Sequence, residues 1–260
     1  MLIDTHCHLV SDKLKNNLPS LLENAKNAGV SKIINIAYDP ETILLAQKQL
    51  KISDMLYVTL GIQPHDASKF TIQEAEKVRP IATHNLRVVG IGEIGLDAHY
   101  TLSPMDKQIE CFEYFLQMAL ELKLPVVVHV RETHADVFAR LKENKKKGLT
   151  GVIHCFTGTL SEAKDFLDCD FYISFSGIVT FKNSFSLQEV AKFVPDHKIL
   201  IETDSPYLAP TPLRGKMNEP AFVHHTCEFI SKIRNIQYED FSKLTAENAE
   251  KLFFRMSSPS

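Results

Sequence analysis

Two histidines stand one residue apart in the first apolar run of the chain, which reads IDTHCHL over residues 3–9. Successive side chains of a strand point to opposite faces, so His6 and His8 point to the same side and Cys7 points to the other. A neutral imidazole is a ligand for divalent ions such as zinc, manganese and iron. The spacing therefore predicts a pair of metal ligands at the end of the first strand.

Four further side chains of the metal-ligating type stand at or near the ends of later apolar runs. They are Glu93 in GEIGLD, His129 in VVVHV, His154 in VIHCF and Asp204 in ETDSP. Four histidines and two carboxylates are more than one catalytic metal with an open position needs. The set is typical of two metal ions with a bridging carboxylate, and Glu93, on a central strand, is the natural bridge.

The chemistry expected of such a site is hydrolysis. Two metal ions a few ångströms apart can hold a bridging water as hydroxide, the nucleophile, and orient a phosphoryl or carbonyl oxygen for its attack. A carboxylate beside that water can accept its proton, and Asp204 is our candidate for this role. We therefore expect Asp204 and Glu93 to be catalytic, with two divalent ions (Mg²⁺, Mn²⁺ or Zn²⁺) as cofactors.

These residues converge only if the strands that carry them are parallel and end at one face. Eight short, nearly continuous apolar runs are present, at residues 2–6, 32–37, 57–61, 87–95, 125–130, 151–156, 171–176 and 198–204. Continuous rather than alternating apolar character is typical of strands that are buried on both faces of a parallel sheet.

Helical patterns separate most of these runs. They lie at 18–29, 41–50, 103–123, 133–144, 161–168 and 186–194, and two more, at 221–235 and 239–254, follow the eighth run. This alternation predicts an α/β fold, a TIM-type (β/α)8 barrel with extra C-terminal helices, as a single domain over residues 1–260. An open doubly wound sheet is the alternative, but the chain has neither a GxGxxG nor a Walker A loop.

Composition narrows the classes of function. The net charge of −3 argues against a binding mode that depends on a broad basic surface, although bound metal ions can supply positive charge at a phosphate. Five cysteines without a CxxC pair predict a reduced, cytoplasmic protein rather than a disulfide framework. No apolar run approaches the ~20 residues of a membrane span, so we expect no membrane association.

In these motifs and their order, the sequence resembles the TatD-type metal-dependent deoxyribonucleases of the amidohydrolase superfamily. The similar segments are IDTHCHL, GEIGLD, VVVHVRETHAD, GVIHCFTG, FSGIVTF and LIETDSPYLAPTPLRGKMNEP, which together extend over nearly the whole chain. The HxH pair marks only the superfamily, whereas the last segment is much more specific.

The resemblance implies a division of the ligands between two ions. By this resemblance, His6, His8 and Asp204 hold one ion, His129 and His154 hold the other, and Glu93 is shared. The resemblance also implies phosphodiester hydrolysis, typically removal of nucleotides from a DNA 3′ end with magnesium in solution, and we expect a 3′→5′ exonuclease on single strands. The histidine-rich set itself favours zinc or manganese over magnesium.

Substrate contacts are expected from residues around the ligands. Arg131 and Arg214 can each donate paired hydrogen bonds to a phosphate, and Tyr207 can stack on a base or sugar. His65 and His134 follow strand ends and are expected to line the mouth of the barrel. An alternative role for Arg214 is to brace the loop at 205–220.

One position departs from the family pattern. Gln63 stands in LGIQPHDA, where many family members carry histidine. Glutamine forms hydrogen bonds but cannot exchange a proton near neutral pH. The departure therefore bears on substrate contact rather than on metal binding.

Two other classes of function stay open at the level of sequence. The same metal centre can activate water against an amide, a lactone or an aminoacyl ester, which makes an amidohydrolase-like enzyme the alternative. A barrel with a structural metal that acts as an adaptor is the non-enzymatic alternative, although structural sites are normally closed by four ligands. The expected partner is DNA with a free 3′ end, and a monomer is favoured.

Overall fold

Eight parallel strands form one sheet in the computed structural model, which describes residues 1–257. The strands are β1 (Leu2–Cys7), β2 (Val30–Ala37), β3 (Leu56–Leu60), β4 (Val88–Asp97), β5 (Val126–Arg131), β6 (Gly151–Ile153), β7 (Tyr172–Phe175) and β8 (Ile199–Ile201). Each strand pairs with the next one in the chain. The last three residues of the domain predicted over 1–260 lie outside the described part.

The sheet nearly closes between its first and last strands. Cys7 forms a parallel bridge with Ser205, the amide of His8 donates to the Ser205 carbonyl at 2.7 Å, and the amide of Asp204 donates to the His6 carbonyl at 2.9 Å. A doubly wound sheet would instead reverse its strand order part-way. The predicted TIM-type (β/α)8 barrel is therefore confirmed.

Ten α-helices surround the described strands. They are α1 (Leu18–Asn27), α2 (Pro40–Leu50), α3 (Ile72–Glu76), α4 (Val78–His84), α5 (Met105–Leu122), α6 (His134–Lys145), α7 (Leu160–Asp168), α8 (Phe185–Phe193), α9 (Val223–Ile233) and α10 (Tyr238–Leu252). The sequence pattern did not predict α3 and α4. With five and seven residues, each is too short to repeat an apolar face over two turns.

Two strands end earlier than their apolar runs. The runs 151–156 and 198–204 give β6 and β8, each of only three residues. Beyond them, Cys155 and Asp204 have φ angles of 42° and 56°, a left-handed conformation that cannot continue a strand. The polar residues of these runs therefore stand just outside the sheet, at its carboxyl end.

The amino-terminal end of the barrel is closed by α10 and the turn that follows it. Apolar side chains from seven strands form one buried cluster with residues of this segment: Ile3, Ile34, Ile36, Val89, Val127, Val152, Tyr172 and Leu200, with Ala246, Ala249, Leu252, Phe253 and Met256. Asn248 donates to the carbonyl of Ile199 at 2.9 Å, and Arg255 donates to that of Val88 at 2.8 Å. Both acceptors are first residues of strands, so the C-terminal segment seals the end opposite the predicted site.

Two further features concern the cysteines and the helices. All five cysteines are free thiols, and four of them are buried. Within residues 1–257, no helix combines the length and the apolar character that crossing a membrane requires.

Candidate metal centre

A cavity of about 460 Å³ opens at the carboxyl ends of the strands. Five of the six predicted ligands line it, namely His8, Glu93, His129, His154 and Asp204. The sixth, His6, is fully buried, and its ring stacks on that of His154 with a centroid separation of 3.9 Å. The fold therefore brings together all six residues, which are far apart in the chain.

Four of the candidate ligand atoms form a tight cluster. His6 Nε2 lies 3.3 Å from His8 Nε2, 3.5 Å from Glu93 Oε2 and 3.7 Å from Asp204 Oδ1. His8 Nε2 lies 3.7 Å from Glu93 Oε2 and 3.3 Å from Asp204 Oδ1. Ligands at about 2.0–2.1 Å from a tetrahedral zinc are about 3.3–3.4 Å apart, so these separations are close to those of a coordination shell.

Glu93 directs its two oxygens to different pairs of histidines. Oε2 faces His6 and His8, whereas Oε1 lies 3.1 Å from His129 Nδ1 and 3.1 Å from His154 Nε2. Oε2 is buried and makes no hydrogen bond, which is uncommon for a buried polar atom. A carboxylate in this position fits the space between two cations.

Charge in the cluster keeps both carboxylates ionised. Burial raises the pKa of Glu93, but the charge of His154 and hydrogen bonds from His129 and His154 outweigh it and hold that pKa well below its usual value. Burial also raises the pKa of Asp204, but the hydrogen bond from His8 and the charge of His6 lower it overall. One buried and one partly buried negative group therefore face this cavity, as binding of divalent cations requires.

Glycines in the GEIGLD segment allow β4 to lie close to β5. Gly95 has φ 144°, and a Cβ at this position would lie 2.0 Å from the carbonyl oxygen of His129. Gly92 has φ 150°, and a Cβ there would lie 2.6 Å from the carbonyl oxygen of Val127. Both positions need glycine, for conformation and for space. These two residues thus set the distance between Glu93 and His129.

Sequence reasoning missed Asp97, which joins two histidines of the cavity. Its Oδ2 lies 2.9 Å from His129 Nε2 and 3.0 Å from His65 Nε2, and Oδ1 accepts two backbone amides of the following loop. Asp97 therefore orients the His129 ring so that Nδ1 faces Glu93. The signal was available, because Asp97 follows Glu93 by four residues and alternate strand residues share a face.

Glu202 is a second buried carboxylate that sequence reasoning missed. Its Oε1 accepts the amide of Cys155 at 2.7 Å and lies 3.5 Å from His154 Nδ1. Burial lowers the pKa of His154, but the charges of Glu93 and Glu202 raise it well above its usual value. Since the other nitrogen of His154 faces Glu93, Glu202 is placed to orient this ring. Its position two residues before Asp204 was the available signal.

The predicted substrate residues fall into two groups. Those that line the cavity are His65, Arg131 and Tyr207, together with Gln63. His134 does not line it, because it is the first residue of α6 and packs toward α7, with Nε2 at 3.4 Å from Asp165 Oδ2 and its ring stacked on Phe138. Arg214 also lies outside the cavity, with its guanidinium 4.0 Å from the ring centroid of Phe181.

Nearly the whole chain matches one protein family. A family sequence model described as TatD related DNase matches residues 3–254. The chain belongs to the TatD family. The resemblance found in its motifs is therefore confirmed over the full barrel.

Relatives of this TatD protein include two bacterial proteins that are both described as uncharacterized metal-dependent hydrolases. YabD of Bacillus subtilis (strain 168) is 38% identical over 253 residues, which cover 97% of this chain and 99% of the relative. YcfH of Escherichia coli (strain K12) is 36% identical over 255 residues, which cover 97% and 95%.

A solved TatD structure agrees with the fold. The crystal structure of YJJV, a TatD homolog from Escherichia coli K12, superposes with a TM-score of 0.92 at 26% identity, covering 99% of this chain and 98% of that one. Family membership and the clustered histidines and carboxylates identify the protein as a metal-dependent hydrolase on a (β/α)8 barrel.

Proposed function

We propose that this TatD protein is a two-metal phosphodiesterase that removes nucleotides from the 3′ end of single-stranded DNA. The observation that carries the proposal is the position of Glu93, whose two oxygens face separate histidine pairs within one open cavity. The description of the matching family, TatD related DNase, supports a DNA phosphodiester as the bond that is cleaved.

The donor atoms fit two divalent cations. One ion would be held by His6, His8 and Asp204, the other by His129 and His154, and Glu93 would be shared. Imidazole donors favour zinc or manganese, although magnesium in solution can compete for the carboxylates. When bound, such ions supply positive charge to the phosphate that reacts and lower the pKa of an adjacent water.

Asp204 is proposed as the general base. Its side chain is 14% exposed, its Oδ1 is 3.3 Å from His8 Nε2, and the lowered pKa keeps it ionised. An ionised carboxylate that reaches the cavity can accept the proton of an attacking water. The role proposed for Glu93 is to hold the two histidine pairs, and the cations they would bind, at a fixed separation.

Arg131, His65 and Tyr207 are proposed to hold the substrate. Arg131 lies two residues beyond His129, lines the cavity, and makes no salt bridge with any carboxylate of residues 1–257. Its guanidinium is therefore free to donate to a phosphate. His65, fixed by Asp97, is a second donor, and Tyr207, 49% exposed, offers a ring to the terminal base or sugar.

The test uses purified protein that has been stripped with EDTA and reloaded with Mn²⁺, Zn²⁺ or Mg²⁺. Single-stranded oligonucleotides labelled at the 3′ or at the 5′ end report the direction of cleavage. We expect metal-dependent early release of the 3′ label and stepwise shortening of the 5′-labelled strand. Asp204→Asn keeps the size of the side chain and removes its charge, so it is the control that shows whether cleavage depends on the proposed general base.

Two results would count against the proposal. One is the absence of metal-dependent release, and the other is equal release by the wild type and by Asp204→Asn. A panel of amide, lactone and aminoacyl-ester substrates runs in parallel. Faster turnover of one of these than of DNA would favour the amidohydrolase-like alternative.

A further inference from the structure

A second groove, of about 520 Å³, lies next to the cavity at the same end of the barrel. Two loops form it, the one between β7 and α8 and the one between β8 and α9. Its lining includes Phe181, Lys182, Asn183, Ser184, Thr211 and Arg214. The lining contains two cations and no carboxylate, although the chain as a whole has a net charge of −3.

The groove continues from the cavity along both loops. Ile178 and Leu208 line the cavity, and three residues further along each loop Phe181 and Thr211 line the groove. Three residues of extended chain reach at most about 10–11 Å. Phosphates advance by about 3.4 Å each on a strand stacked as in a duplex and by more on an extended single strand, so three nucleotides or fewer suffice to pass from the cavity to the groove.

The two loops are packed together. The amide of Thr211 donates to Thr180 Oγ1 at 2.8 Å. A Cβ at Gly177 would lie 2.2 Å from the Leu208 carbonyl oxygen, so glycine is needed for this close approach of the loops. The groove therefore has fixed walls, which reduces the entropy lost when a ligand binds.

Arg214 is held in a form that suits a phosphate ligand. Its guanidinium lies 4.0 Å from the centroid of the Phe181 ring, so the stacking orients the cation while its N–H edges stay available. Most other arginines of the chain are used differently. Those paired with carboxylates are Arg79, Arg87, Arg140 and Arg234. Neither Arg214 nor Lys182 makes a salt bridge with any other residue of the described range 1–257.

We propose that this groove, called the strand groove below, binds the phosphate backbone of the DNA strand upstream of the nucleotide in the cavity. Arg214 and Lys182 each contact one phosphate, and Phe185, 70% exposed at the start of α8, offers a ring on which a base can stack. The inference rests on the proposed function and adds to it the place where the uncleaved part of the substrate lies.

The test compares a long single-stranded oligonucleotide with a dinucleotide. A double variant, Lys182→Ala with Arg214→Ala, is assayed beside Lys48→Ala with Lys51→Ala, which removes the same charge from exposed lysines at the end of α2, near the closed end of the barrel. With metal present, we expect kcat/KM for the long strand to fall about tenfold in the groove variant, a loss equivalent to ~1.4 kcal/mol. The value for the dinucleotide should stay unchanged.

Binding without cleavage is a second, independent measurement. Fluorescence anisotropy of the long strand in EDTA gives the salt dependence of the affinity. Two lost phosphate contacts should reduce the slope of log K against log salt by about 1.4, since single strands give about 0.7 per contact. The Lys48 and Lys51 control should keep the wild-type slope.

The outcomes separate the strand groove from the proposed function. An equal loss on dinucleotide and long strand, or no loss on either, would overturn the strand groove while DNA hydrolysis by the wild type still stood. If the wild type cleaves no DNA, the proposed function fails. The anisotropy measurement alone then tests whether the strand groove binds DNA. Weaker binding by the groove variant would then support the strand groove, and an unchanged slope would overturn it.

Discussion

The two ends of the barrel are built from the same eight strands but from opposite kinds of residue. At the amino-terminal end, aliphatic side chains from the strands pack against α10, and Phe253 is fully buried among them. At the carboxyl end, five of the six predicted ligands line a cavity of about 460 Å³, and the sixth, His6, is fully buried. Because all strands are parallel, one end can provide stability while the other provides chemistry.

Buried polar atoms without hydrogen-bond partners are concentrated in the site at the carboxyl end. Eleven buried side-chain atoms of residues 1–257 make no hydrogen bond, and five of them belong to the site: His6 Nδ1, His8 Nδ1, Glu93 Oε2, His154 Nδ1 and Glu202 Oε2. A buried polar atom that stays without any partner costs about 1–3 kcal/mol. Atoms arranged to face cations add little to stability in the absence of those cations, whereas the apolar cluster at the closed end stabilises the barrel by burial.

The largest expected effect is on activity at the carboxyl end. We expect Asp204→Asn to lower kcat by about 10²–10⁴-fold, because the side chain can no longer accept a proton. Urea unfolding in EDTA should change little, since the apolar closed end is intact. Near-wild-type kcat, or a large loss of the free energy of unfolding, would contradict the assignment of chemistry to the carboxyl end and of stability to the closed end.

At the closed end, the effect should fall on stability instead. Phe253→Ala removes a fully buried ring and is expected to lower the free energy of unfolding by about 3–5 kcal/mol, with kcat per folded molecule unchanged. The neighbouring Phe254, 49% exposed, is the matched control, and Phe254→Ala should cost much less. Equal destabilisation by the two variants would show that burial in the cluster is not the cause.

Metal addition should stabilise the protein through the carboxyl end alone. At a concentration of 100 times Kd, one bound ion raises the free energy of unfolding by about 2.7 kcal/mol, which is measurable as a higher Tm. Glu93→Gln, which removes the charge between the histidine pairs, should abolish this shift. Phe253→Ala should retain it from a lower starting Tm, and loss of the shift in both variants would contradict the separation of the ends.

The smallest expected effect is on metal affinity, through Asp97, which contacts histidines of the site. Asp97→Asn weakens the contacts that orient His129 and His65, and we expect metal affinity to fall about 10–100-fold, as measured by calorimetry. The matched control is Asp165→Asn, which changes an aspartate beside His134 in the helical shell. Unchanged metal affinity in Asp97→Asn would show that the pair of histidines is held by packing alone.

The sequence by itself determined the barrel and the convergence of six polar residues. Apolar runs that end in histidine or a carboxylate predict parallel strands with polar carboxyl ends. This prediction uses only two properties of a strand, the alternation of its side chains and the direction of its chain. The positions of His6 and His8 at the end of β1 followed in this way, and that of Glu93, which lies within β4, followed from the strand that carries it, because the sheet defines the location of its strand residues.

Only the tertiary structure decided which side chains meet beyond the strand ends. Asp97 lies between His65 and His129 because β3, β4 and β5 are neighbours, and Arg214 stacks on Phe181 because two loops pack together. His134, expected at the mouth, lies against α7 because α6 packs on that helix. Local patterns encode the direction of a strand residue, whereas the position of a loop or helix-end side chain depends on contacts between segments distant in the chain.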